Sequence, residues 1–162
     1  MKEMTPSAAL KRLASLCAKR EYCTGDLNKK LLQWGIDEQD RSAIIAKLVE
    51  AQYVDDERYA RMFIRDKIEM NGWGRRKIEQ ALYAKRIDSA ISRPILDEYD
   101  AASYTEKLLP LLRGKLKTVK AASDYERYSK LMRFALSRGF GYDIARRCIE
   151  QLGIEAADSG CP

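Results

Sequence analysis

The chain has 162 residues, 46% of them hydrophobic and 33% charged, which is enough apolar material for a packed core, with no uninterrupted apolar run of transmembrane length. It contains no histidine, so Ser-His-Asp and Cys-His nucleophile pairs and any zinc site needing imidazole are excluded, and only carboxylate, lysine or tyrosine chemistry is left to an enzyme. The net charge of +6, most of it carried by residues 101–162, suits a nucleic acid or an acidic protein surface as partner.

Apolar residues recur at three- and four-residue spacing and no run alternates with period two, so the expected fold is all-α. In chain order the spacing predicts helices over Ser7–Arg20, Thr24–Trp34, Asp37–Gln52, Asp55–Met70, Gly74–Lys85, Ser89–Tyr99, Ala102–Lys117, Asp124–Ser137 and Tyr142–Leu152. Pro110 falls inside the seventh and predicts a kink or break between Leu109 and Leu111. No charged-then-apolar leader opens the chain, which points to the cytoplasm. There Cys17, Cys23, Cys148 and Cys161, none of them in a C-x-x-C pair, are expected as reduced thiols.

The helices fall into groups of three that superpose without gaps. Leu27, Ile78 and Leu131 coincide, and the same offsets align Ile36 with Ile87 and Phe140, Ile44 with Ile95 and Cys148, Ile45 with Leu96 and Ile149, and Leu48 with Tyr99 and Leu152. The expected architecture is a tandem array of three three-helix, helix-turn-helix-like repeats, 5–54, 55–100 and 101–153, elongated and curved, followed by a tail at 154–162. A plain irregular helical bundle is the alternative. Within each repeat the second and third helices are joined by a tight turn, at LLQWGID, LYAKRID and LSRGFGYD. Gly35 and Gly139 suit a left-handed residue there, and Arg86 occupies the same place in the middle repeat.

The stretch YVDDERYARMFIRDK, residues 53–67, packs Asp55, Asp56 and Glu57 together. Asp55 as N-cap, with Asp56 and Glu57 near the positive helix end and Val54 and Tyr59 as a hydrophobic staple, accounts for it as a helix start. A magnesium-dependent nuclease is the competing reading, but consecutive residues at a helix start point in different directions and no further carboxylate motif completes such a site. No metal, cofactor or catalytic residue is expected.

YVDDERYA followed by GWGRRKIEQALYAKRID resembles the RecX family of bacterial RecA modulators. The matching positions are Asp55, Asp56, Arg58, Tyr59, Ala60, Gly74, Arg76, Ile78, Leu82, Lys85 and Ile87, with Arg86 in place of the family's turn glycine. The resemblance implies regulation rather than catalysis. The implied molecule is a monomeric crescent of repeats in the groove of the RecA–DNA filament, touching adjacent protomers and suppressing ATP hydrolysis and strand exchange in recombination, DNA repair and the SOS response.

The basic residues offer candidate contacts. Arg58, Arg61 and Arg65 share one helix face; Arg75, Arg76 and Lys77 occupy a predicted first turn, where the dipole disfavours cations and free N–H groups suit an anion. Lys130 with Arg133, and Arg146 with Arg147, are further candidates, whereas Arg113, Lys115, Lys117 and Lys120 suit the C-terminus of their own helix. Trp34 and Trp73 are expected as packing residues at module turns. The alternative function is a module that binds DNA directly, single- or double-stranded, through basic helix faces with little sequence preference.

Overall fold

The computed structural model describes residues 3–155; Cys161 and most of the expected tail lie outside them. Among the described residues there are helices α1 (Pro6–Lys19), α2 (Thr24–Gln33), α3 (Glu38–Glu50), α4 (Asp56–Glu69), α5 (Arg75–Ala84), α6 (Ser89–Leu96), α7 (Ala101–Thr118), α8 (Asp124–Ser137) and α9 (Tyr142–Gln151), and no strand. Their starts follow from side-chain caps. Thr5, Asp37, Asp100 and Ser123 each accept from a backbone N–H three residues on, and Pro6, which has no N–H to satisfy, opens α1.

The repeat is visible in the backbone. At the end of α2 the N–H of Ile36 donates to the Leu31 carbonyl and that of Gly35 to Leu32. Ile87 to Leu82 with Arg86 to Tyr83, and Phe140 to Ala135 with Gly139 to Leu136, repeat the pattern at α5 and α8. These are three copies of one helix-ending motif, closed by a left-handed residue at Gly35 (φ 76°), Arg86 (φ 61°) and Gly139 (φ 95°). Arg86 thus keeps the left-handed backbone without being glycine, at a cost of about 1–2 kcal/mol. The apolar residue after each turn, Ile36, Ile87 or Phe140, is buried, as are the sets Leu27, Ile78, Leu131 and Ile44, Ile95, Cys148.

One expected break is absent and one helix ends early, and proline is involved in both. α7 runs unbroken through Pro110. The prolyl ring is on the exposed side, and burial of Tyr104, Leu108 and Leu112 against α8 and α9 offsets the lost hydrogen bond, which costs on the order of 3 kcal/mol. α6 stops at Leu96, two residues past Pro94, rather than at Tyr99; the N–H groups of Glu98 and Tyr99 then turn back to Ile95 and Leu96, and Asp100 caps α7.

The chain divides into two compact units. One holds the described residues to Phe63 together with Leu82–Arg93, and the other holds Ile64–Ala81 together with the described residues from Pro94. In the first, α1 and α2 pack on α3 around Ala9, Leu13, Leu27, Leu31, Ile36, Ile44, Leu48 and Val54. In the second, α7, α8 and α9 pack on one another around Leu108, Leu112, Leu131, Ala135, Phe140 and Ile149. The division cuts the middle three-helix segment in each of its helices, and each unit holds a similar helix-on-turn contact. In the second unit the start of α5 seats on the α8–α9 turn, Gly74 N–H donating to the Arg138 carbonyl at 2.8 Å. In the first unit the start of α2 seats on the α5–α6 turn: the Cys23 thiol reaches the Lys85 carbonyl at 3.9 Å, and a Cβ on Gly25 would lie 2.1 Å from that oxygen. Each unit is therefore built around one copy of the same junction.

Candidate functional site

The basic start of α5 carries no acidic residue in its first turn. Within its compact unit the end of α8 resolves the conflict. Gly74 N–H donates to the Arg138 carbonyl at 2.8 Å and Arg76 N–H to the Gly139 carbonyl at 3.0 Å. The C-terminal, negative end of α8 thereby meets the positive end of α5, which favours cations at this point. These two N–H groups, expected from the sequence to be free for an anion, are taken by the protein's own carbonyls.

The three cations then diverge. Arg75 donates from Nε to Glu79 Oε1 (2.6 Å) and from Nη1 to Asp97 Oδ1 (2.8 Å), and these bonds, Glu79's above all, raise its pKa above the ordinary guanidinium value. Lys77 places Nζ 4.4 Å from the centre of the Trp73 ring, which also has Lys67 Nζ at 4.7 Å. Arg76 is exposed, with no carboxylate at ion-pair distance among the described residues.

Arg75 and Arg76 also edge a cleft of about 430 Å³ with Tyr99, Tyr104, Phe140 and Ile144. Tyr104 meets Phe140 edge to face at 6.4 Å between ring centres. Its hydroxyl is buried without a hydrogen-bond partner, and burial pushes its pKa up to about 12.

The other candidates are partly engaged. Arg58 pairs with Glu21 at 2.9 Å and its guanidinium approaches the Gln52 and Tyr53 carbonyls, so it braces the start of α4. Arg61 faces Glu57 at 3.7 Å, Arg65 faces Asp66 at 3.5 Å and Arg146 faces Glu150 at 3.3 Å. Lys130 pairs with Glu126 at 3.3 Å and bonds the Lys120 carbonyl. Arg133 and Arg147 are exposed, with no carboxylate at ion-pair distance among the described residues.

The acidic trio separates, as a helix start requires. Asp55 accepts the Arg58 N–H at 3.1 Å as N-cap, and Val54 and Tyr59 are buried beside it. Asp56 stands in the first turn of α4, against its own helix dipole as expected, and also accepts the N–H and the hydroxyl of Thr24, each at 2.7 Å, so that it fastens the start of α2 to α4. Glu57 turns to Arg61. Three different partners leave no common point for a metal ion, and among the described residues no group of three or more Cys, Asp or Glu converges on one. Trp34, expected at a module turn, is half-buried with Arg12 5.0 Å from its ring centre. Sequence reasoning passed over Arg138 and gave Lys115 only a helix-end role, yet both lie against the Phe134 ring, at 5.2 and 5.5 Å. No local periodicity announces such a meeting of α7 and α8.

The architecture, then, is an all-helical tandem of three-helix repeats joined by a recurring helix-on-turn junction. The second three-helix domain of RecX matches residues 55–93 and the third matches residues 102–149. Proteins named regulatory protein RecX are similar over most of the chain. That of Vibrio parahaemolyticus is 31% identical across 88% of this chain and 90% of its own, and that of Clostridium botulinum strain Eklund 17B is 30% identical across 89% and 66%. The chain spans 43% of the Oceanobacillus iheyensis relative, at 26% identity over 72% of its own length. The crystal structure of RecX from Lactobacillus salivarius superposes with a TM-score of 0.82 at 24% identity, over 91% of this chain and 96% of that one. The chain belongs to the RecX family of regulatory proteins.

Proposed function

We propose that this protein binds the RecA–DNA filament as a monomer in the cytoplasm and lowers RecA's ATP hydrolysis and strand exchange, acting by contact rather than by catalysis or a cofactor. The observation that carries the reading, beside family membership, is the repetition of one turn motif and one junction along the chain. Equivalent modules present equivalent surfaces, and a partner that is itself a repeating polymer engages several at once, so weak contacts multiply.

The contact residues proposed are first those candidates that are exposed with no carboxylate at ion-pair distance among the described residues, Arg76, Arg133 and Arg147, followed by Arg61, Arg65, Lys77, Lys130 and Arg146. Arg58 and Arg75 come last, because their ion pairs serve the fold. The test is the ATPase rate of the cognate RecA on single-stranded DNA as the protein is added. A fall at sub-stoichiometric protein that weakens in Arg76→Ala and Arg133→Ala/Arg147→Ala supports the reading; an unchanged rate overturns it.

Direct binding to DNA is the second reading. It is favoured by a basic surface lying on the two aromatic residues Trp73 and Phe134.

A further inference from the structure

The cleft edged by Arg75 and Arg76 holds two unmet hydrogen-bonding capacities. The first is Tyr104, which is 4% exposed and whose buried hydroxyl has no partner, with Arg75, Glu79 and Tyr99 close enough for their charges to act on it. A buried polar group left unsatisfied is rare in a folded chain and marks a place where a partner atom belongs. The second is the first turn of α9, which borders the same cleft through Gly141 and Ile144. Gly141 is the N-cap, and no side chain caps the helix there, although its φ of −71° admits any residue and a Cβ on it would meet nothing within 4 Å. Open space therefore stands where a capping side chain would sit. Asp143, acidic in the same turn, is exposed and is not part of the cleft wall.

Among the groups lining the cleft, Arg75 and Arg76 are positive and Glu79, bonded to Arg75, is negative, which leaves a single positive charge, at Arg76. Tyr99, Tyr104, Phe140 and Ile144 make the rest of the wall largely apolar. The matching ligand has one negative charge and a flat apolar body; the positive excess is too small for a polyanion. We propose that the cleft binds a small aryl carboxylate, its ring against Tyr99, Phe140 and Ile144 and its carboxylate at the Arg76 guanidinium, the Tyr104 hydroxyl and the first turn of α9. A volume of about 430 Å³ falls in the range of small-molecule sites, whereas a stable protein partner needs a far larger contact. The inference goes beyond the filament reading and does not rest on it. Arg76 serves in both, but this binding needs neither RecA nor DNA.

The test follows the backbone amide signals of the isotope-labelled full chain by NMR as phenylacetate is added at fixed ionic strength, with phenylacetamide and acetate as the neutral and the ringless comparison. Phenylacetate should shift the amides of Tyr142, Asp143 and Ile144 with a Kd on the order of 1 mM, and each comparison should bind at least about tenfold more weakly. Gly141→Asp places a carboxylate in the open space and caps α9, so it should abolish binding while keeping or raising the urea midpoint. Tyr104→Phe should weaken binding by about tenfold. Lys11→Gln, which removes an exposed cation of α1 in the other compact unit, should leave it unchanged. No shift with phenylacetate, equal binding of acetate or phenylacetamide, or undiminished binding in Gly141→Asp or Tyr104→Phe each overturns the proposal. Tighter binding of the acetylated dipeptide Phe-Glu assigns the cleft to a protein chain and overturns it too. Loss of RecA inhibition in Arg76→Ala, in a chain whose wild type binds no phenylacetate, sinks this site alone and leaves the filament reading standing.

Discussion

The N–H of Gly74 donates to the carbonyl of Arg138 at 2.8 Å, and this bond seats the start of one helix on the turn that ends another. The approach is close because neither Gly74 nor Gly139 has a side chain. A Cβ at Gly74 would lie 2.4 Å from the Gly139 carbonyl carbon, and one at Gly139 would lie 2.5 Å from the Lys77 nitrogen. Gly74→Ala should therefore lower stability by about 1–3 kcal/mol, and Gly139→Ala by at least as much, since its φ of 95° adds strain. Gly114, inside α7 with nothing near its Cβ position, is the control: Gly114→Ala should raise stability by about 0.5–1 kcal/mol. Urea denaturation of the three variants checks the order.

Asp55 and Asp56 stand side by side but act on different helices, one capping α4 and the other holding Thr24 at the start of α2. Asp55→Ala should cost about 0.5–2 kcal/mol as a lost cap. Asp56→Ala should cost about 2–3 kcal/mol, because two charge-assisted bonds go with it and one of them serves a backbone N–H. A smaller loss for Asp56→Ala in thermal or urea unfolding would contradict the tie between α2 and α4.

Arg86 is exposed and left-handed where the other two repeats have glycine. Removing its Cβ relieves strain that the extra backbone entropy of glycine only partly cancels. Arg86→Gly should therefore stabilise the protein by about 0.5–1 kcal/mol, seen as a higher unfolding midpoint with an unchanged slope.

The Tyr104 hydroxyl is buried without a partner, and burial pushes its pKa up to about 12 from the ordinary 10.0. The folded state thus holds the proton more tightly than the unfolded one. The stabilisation from this group is complete below pH 10 and is lost as pH rises toward 12. Tyr104→Phe should leave neutral-pH stability unchanged or slightly higher and should flatten the fall between those two values. Stability measured against pH by urea unfolding decides it.

The helices, their order and the repeat were legible because they rest on short-range rules. Caps such as Asp37 and Asp55, apolar spacing, and the left-handed turn at Gly35, Arg86 and Gly139 are properties of a few consecutive residues. No break forms at Pro110 because its penalty is local, whereas the packing of Tyr104, Leu108 and Leu112 that outweighs it comes from other helices.

The sequence by itself settled an all-helical, three-fold repeating chain and the acidic trio as a helix start. Only the tertiary structure decided which partners the basic residues meet. It gave Arg75 to Glu79 and Asp97, Arg58 to Glu21, and the Gly74 and Arg76 N–H groups to the end of α8, and it brought Lys115 and Arg138 to the Phe134 ring and Lys77 to that of Trp73. The reason is range. A cap or a turn is specified within about one helical turn of chain, whereas the partner of a long cationic side chain depends on which distant helix end packs beside it.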